Sequence, residues 1–289
     1  MKRAFTLVEI IFVLVVLGII AALGSEIIVK IYENYFLTRT TAAASYKLDV
    51  AALKISKLLS YRVKGSEVAR NIYTNTLVTM ATQGSAFRHI EWVAKAYEAR
   101  RGMWDGTSYL QPGWSGLADL LASNKFRLET PGSKLSVAKN IISKVYGIDI
   151  ATQDQCGVVF YETYETDPIR AFGWDGSRPN AIYSVTMLND TRLWFSDPNA
   201  KTISDIYDLA CTAYAIRWEN GRLNLYYDYR PWKGENYRRH GRVQTIVEDV
   251  TAFMVRKRDV DGAIQFRICV KDASAGGTEV EFCTRKVVF

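Results

Sequence analysis

Few residues in this chain have the type and spacing that chemistry needs, and the most conspicuous sits where a charge is costliest. Glu9 lies within an apolar stretch that runs on from Ile10 to Leu23, with Lys2 and Arg3 just ahead of it. A charged side chain at the centre of a membrane helix costs on the order of 2.5–3.5 kcal/mol on insertion scales. Glu9 finds no partner nearby in its own sequence, so the simplest account is a partner supplied by another chain. The four cysteines, Cys156, Cys211, Cys269 and Cys283, form no C-x-x-C pair, and only two histidines exist, His89 and His240. Zinc-type spacing is absent, and neither a metal nor another cofactor is expected.

An even cysteine count behind an export-like N-terminus favours disulfides made in an oxidising compartment. Cys269 and Cys283 flank a turn-rich stretch and make the favoured pair. Closing a loop of that length stabilises by roughly 3 kcal/mol in the chain-entropy model. Cys156–Cys211 follows by elimination; four reduced, buried thiols are the competing reading.

No phosphate-binding glycine loop, HExxH, G-x-S-x-G or dinucleotide fingerprint is present, and no enzymatic activity is expected. Asp259-Val260-Asp261-Gly262 offers two carboxylates where calcium takes six to eight oxygens, so it reads as a hairpin turn. Trp174-Asp175-Gly176 reads the same way. Tyr237-Arg238-Arg239-His240-Gly241-Arg242 concentrates cations beside an aromatic, and Arg238, Arg239 and Arg242 are the candidate contacts for nucleic acid through phosphates and stacking. Glu235, Glu248, Asp249, Asp259 and Asp261 lie close in sequence, which favours a solvated loop and charge-protected strand edges. Nucleic acid is thus a disfavoured partner.

The elements that must position these residues begin with the apolar run. Phe5 to Gly24 is close to the ~20 residues that span a bilayer, and Lys2 and Arg3 would hold the N-terminus in the cytoplasm. No small-x-small site follows the run, unlike a secretory signal peptide. Beyond it Ile28, Ile31, Tyr35, Ala42, Tyr46, Val50 and Leu53 recur at helical steps and mark one apolar face. A single helix from Phe5 to about Ser60 is expected, membrane-spanning over 5–24 and amphipathic over 25–60. Its second half is the part that can pack on a globular head.

Residues 61–150 read as a mixed helix and loop insert. Phe87 to Arg101 is predicted helical, with Ile90, Val93, Ala94 and Tyr97 on one side. Gly102 to Gly116 reads as a loop anchored by Trp104 and Trp114, and Ser136 to Val145 as a further helix. Residues 151–289 are β-rich. Short strands are predicted at Val158–Tyr161, Ile182–Val185 and Arg192–Phe195. A hairpin joins Tyr214–Trp218 to Leu223–Tyr229 through Glu219-Asn220-Gly221-Arg222. Phe253–Arg258, Ile264–Lys271 and Val280–Phe289 complete a meander. With 289 residues, 48% of them hydrophobic, the chain can bury a sizeable core, and its formal charge of +7 does not argue for a polyanionic partner.

Lys2-Arg3-Ala4-Phe5-Thr6-Leu7-Val8-Glu9 closely resembles the processing site of type IV pilins and type II secretion pseudopilins. The resemblance implies that prepilin peptidase, a membrane aspartic peptidase, removes 1–4 by cutting between Ala4 and Phe5. It implies methylation of the new Phe5 amine and makes Glu9 the assembly carboxylate that meets a neighbour's Phe5 ammonium. Such a pair is costly to bury and costlier to break, which suits register control. Ala4 stands where the family usually has Gly. Ser25 and Glu26 stand where many major pilins carry a proline, which hints at a minor subunit.

The implied fold is an α+β pilin-like lollipop, a long N-terminal helix packed on a C-terminal antiparallel sheet. The implied role is that of a minor pseudopilin or minor pilin, single-pass in the inner membrane with its head in the periplasm, or part of an assembled filament. Its partners would be prepilin peptidase and other pilin subunits. Two alternatives stand beside it. One is a DNA-uptake or adhesion subunit binding through its head; the other is a periplasmic domain tethered by an uncleaved anchor.

Overall fold

Thr6 starts the first element. In the computed structural model, which describes residues 6–71, 74–80, 86–104, 106–108, 111–152, 155–161, 167–196, 203–258, 261–273 and 279–289, Thr6 is the N-cap of helix α1, Leu7–Ser60. The Glu9 N–H donates to Thr6 Oγ1 and the Thr6 N–H to Glu9 Oε2, each at 3.4 Å, which is the reciprocal capping box of a T-x-x-E sequence. Lys2, Arg3, Ala4 and Phe5, and with them the expected cleavage, lie outside the described residues, as do Asp259 and Val260. No proline interrupts the 54 residues of α1, so it runs about 80 Å at 1.5 Å per residue. It is long and apolar enough to cross a membrane. Its first buried side chain is Ala44.

The head follows as β1 (Val68–Arg70), β2 (Leu77–Thr79), β3 (His89–Lys95), α2 (Tyr97–Arg100), β4 (Arg127–Glu129) and α3 (Leu135–Tyr146). Next come β5 (Cys156–Phe160), α4 (Pro168–Ala171), β6 (Tyr183–Asn189), β7 (Arg192–Phe195), β8 (Tyr207–Glu219) and β9 (Arg222–Tyr229). The chain closes with β10 (Arg242–Val247), β11 (Val250–Lys257), β12 (Ile264–Ala273) and β13 (Glu279–Val288). Among the described residues these strands make a ten-stranded antiparallel sheet, β2-β1-β3-β8-β5-β6-β7-β4, and a three-stranded one, β11-β12-β13. The large sheet forks at β8. One half of its free edge takes β5 and the other takes β9, which in turn pairs β10. The β8–β9 hairpin turns on Asn220 and Gly221, both at positive φ (51° and 72°), the geometry that Asn-Gly supplies at least cost.

The chain is therefore α+β, a helical stalk carrying an antiparallel β head. Leu48, Ala51, Ala52, Ile55 and Leu59 of α1 enter a core with Trp92, Ile216, Leu225, Val255, Phe266 and Ile268. A second core gathers α3, β5, β6 and β7, and a third lies around Phe172, Trp174, Tyr229 and Trp232. Arg62 locks the end of α1 to the meander. Its side chain, 2% exposed, pairs with Glu67 at 2.7 Å and caps the Leu59 carbonyl at 2.9 Å. Lys257 of β11 reaches the same Glu67 at 3.0 Å.

Both cysteine pairs are disulfides, Cys156–Cys211 and Cys269–Cys283. Cys269 and Cys283 face one another across the β12–β13 ladder. Cys156–Cys211 lies fully buried where β5 meets β8.

One expectation is corrected. His89 to Lys95 is a central strand, not part of a helix, and only Tyr97–Arg100 of the predicted Phe87–Arg101 segment is helical. Residues 89–94 are all buried, on both faces of the sheet, so the alternation that marks a strand is absent and the spacing of Ile90, Val93 and Ala94 mimics a helix. The 61–150 stretch consequently contributes strands β1 to β4 to the main sheet. On α1, the apolar face marked by Tyr46, Val50 and Leu53 is exposed, and the opposite face meets the head.

Candidate assembly surface

Glu9 has a local partner after all. Besides the capping box, its Oε2 accepts from the Thr6 hydroxyl at 3.4 Å, so the carboxylate closes the first turn of its own helix. These contacts are long and exposed, and a carboxylate has lone pairs to spare beyond them. A negative group in the first turn also complements the helix dipole. The T-x-x-E spacing was readable from the sequence. What it does not supply is a cation.

Above the membrane-length segment, two apolar faces run along α1. Ala44, Leu48, Ala51, Ala52, Ile55 and Leu59 face the head and are buried. At about 100° per residue, Tyr46, Val50 and Leu53 lie on the opposite side, continuing the face of Ile28, Ile31 and Tyr35. They are 73%, 47% and 63% exposed. The inward face carries three alanines, which let the sheet come close, with Leu48, Ile55 and Leu59 filling between them. Lys47 to Asp249 at 3.0 Å and Lys54 to Gln244 at 3.2 Å tie the flanks of α1 to the head. Between the two halves, Thr38 and Thr41 return their hydroxyls to the carbonyls of Asn34 and Leu37 at 2.8 and 2.7 Å. Neither hydroxyl therefore needs water or a partner to be satisfied.

The three candidate nucleic-acid arginines are not brought together. Arg242, on β10, directs its Nε at Asp228 Oδ2, 3.2 Å away. Arg238 donates from Nε to the Tyr237 hydroxyl at 3.1 Å and lies over the Tyr237 ring at 5.8 Å. The Arg239 side chain is exposed, while its backbone N–H donates to Asn236 Oδ1 at 3.1 Å. Arg238 and Arg239 line an open groove of about 510 Å³ together with Arg70 of β1.

Beneath that groove lies a buried polar network that sequence reasoning missed. Glu91 on β3 accepts from Arg70 Nε at 2.9 Å and from the Tyr229 hydroxyl at 3.0 Å. His89 Nε2 is 3.2 Å from Glu91 Oε1 without hydrogen-bond alignment. Burial pushes the His89 imidazole down. Burial alone would raise the Glu91 carboxyl, but the His89 ring and the Arg70 guanidinium outweigh it and leave the group below the usual carboxylate range. Nothing local in the sequence marks these residues, because Arg70, Glu91 and Tyr229 meet only when β1, β3 and β9 assemble. Cys269 and Cys283 lie beside Glu281, but their sulfurs are bonded to each other and offer no thiolate.

No protein-family model, curated protein or solved structure matches the chain.

Proposed function

We propose that this chain is a minor pilin-like subunit of a type II secretion or type IV pilus-like filament, inserted in the inner membrane with its head in the periplasm. Prepilin peptidase cuts it between Ala4 and Phe5, the Phe5 amine is methylated, and stalks then pack side by side. The observation that carries the reading is the double-faced stalk. An apolar face is left free beside a head that already satisfies the other, and it is continuous with an exposed membrane-length segment holding one carboxylate. Glu9 then receives the cation it lacks from the Phe5 amine of a neighbour. Proximity of the two inside lipid is costly to disrupt, which fixes the axial register. Like the DNA-independent filament role, the absence of enzymatic activity is part of this reading.

Replacing Glu9 with Val tests it. Membrane insertion should persist while incorporation into sheared filaments or cross-linked oligomers falls at least tenfold; normal incorporation would sink the pairing mechanism.

One observation favours a second reading, an uncleaved tether. The Thr6–Glu9 capping box gives Glu9 a use within its own chain, as a plain anchor would require. Mass spectrometry of the membrane-extracted protein separates the two: a chain beginning at methylated Phe5 supports the subunit, and a retained Met1 supports the tether.

A further inference from the structure

We infer that the groove between Arg70, Arg238 and Arg239 is a binding site for an oxyanion, a phosphate or carboxylate group carried by a small ligand. Three separate segments converge there. The end of β1 brings Arg70, its turn into β2 brings Asn75, and the turns at 173–176 and 234–239 bring Trp174, Asn236 and the two other arginines. The opening, about 510 Å³, admits a ligand of several heavy groups rather than a single water.

Charge decides the ligand class. Of the two carboxylates at the groove, Glu235 is charge-paired and Asp175 is held by its own turn. Glu235 accepts the Arg230 N–H at 2.8 Å and its Nε at 3.1 Å, and Asp175 accepts the Ser177 N–H at 2.9 Å. Arg238 and Arg239 have no carboxylate within ion-pair distance among the described residues. Arg238 is turned by the Tyr237 hydroxyl, and Tyr237 is itself held by Arg217 at 2.8 Å. That fixes one guanidinium in place before any ligand arrives. A planar guanidinium matches a carboxylate or phosphate edge with two parallel hydrogen bonds.

Base stacking does not contribute, because Trp174 and Tyr237 are 8% and 1% exposed and present no open ring face. The site is thus distinct from a nucleic-acid surface built on Arg238, Arg239 and Arg242 together, since Arg242 is held away by Asp228.

The test titrates inorganic phosphate and, separately, citrate into the detergent-solubilised full chain, with binding read by calorimetry at 0.15 M salt to suppress diffuse attraction. Saturable binding of either anion is expected; the one that binds assigns a phosphate or a carboxylate ligand. Arg238→Ala and Arg239→Ala should each weaken it at least tenfold, whereas Arg242→Ala changes it less than twofold. Both rim arginines are exposed, so these variants leave the fold intact; Arg70, which neutralises buried Glu91, is left unchanged. No saturation by either anion overturns the site. So does an equal loss with Arg242→Ala, or tighter binding of a single-stranded oligonucleotide that depends equally on all three arginines; either result would mean a diffuse basic surface.

Discussion

On the upper half of α1, two faces of similar apolarity meet opposite fates. Ala44, Ala51, Ala52, Leu48, Ile55 and Leu59 are sealed under the meander and β3, while Tyr46, Val50 and Leu53 remain in the open. Hydrophobicity does not choose between them; shape does. Ala44 and, two turns on, Ala51 and Ala52 let strands approach the helix backbone, and Leu48, Ile55 and Leu59 fill the gaps. The outward face has no such recess, and bulky side chains stand out from it. One helix thereby serves two surfaces, one for folding and one left over for another molecule.

That division can be broken most severely at the lock that closes the inward side. Arg62→Ala removes the guanidinium from a buried pair and from the Leu59 carbonyl, with an expected loss of about 3–5 kcal/mol in urea unfolding. Leu59→Ala and Ile55→Ala, each at a fully buried position, should cost about 2–5 kcal/mol apiece by lost contact and residual cavity.

Acid should loosen the head from the other face of β3, the one turned away from α1, by a slope rather than a step. Burial holds the His89 imidazole below the ordinary histidine value of 6.5. The unfolded chain therefore takes up a proton that the native chain refuses, and stability falls as pH drops below 6.5 toward the depressed native value. The Glu91 carboxyl, held below the ordinary glutamate value of 4.5, adds a further loss as pH falls beneath 4.5. Arg70, Arg217, Tyr229 and Tyr237 face this pair. Urea midpoints from pH 7.5 to 5.5 should decline in the parent and flatten in His89→Gln; parallel slopes would remove His89 as the cause.

The smallest folding effect belongs to the outward face. Leu53→Ala should shift unfolding by no more than about 0.5 kcal/mol, yet weaken self-association in a cross-linking assay. If Leu53→Ala destabilises as much as Ile55→Ala, the two faces are not functionally separate.

Much of the fold was legible in the sequence. The stalk follows from a long apolar run without proline, the β8–β9 hairpin from Asn220-Gly221, and the Cys269–Cys283 pair from a turn between two strand-like stretches. Each depends on residues close together in the chain. The β3 strand was illegible because its burial on both faces erases alternation. Which side of the stalk meets the head was not legible, because a helical period fits two opposite apolar sides of α1.

The sequence by itself determined which segments are helical or extended in the stalk, hairpin and meander, and it placed one carboxylate in an apolar run. Only the tertiary structure decided which side of α1 is buried, that His89 and Glu91 lie under Tyr237, and that Arg238 and Arg239 part from Arg242 to join Arg70. Local periodicity and turn chemistry act over a few residues. The choice among equally apolar faces, and the pairing of distant charges, depends on which surfaces fit once the strands have closed.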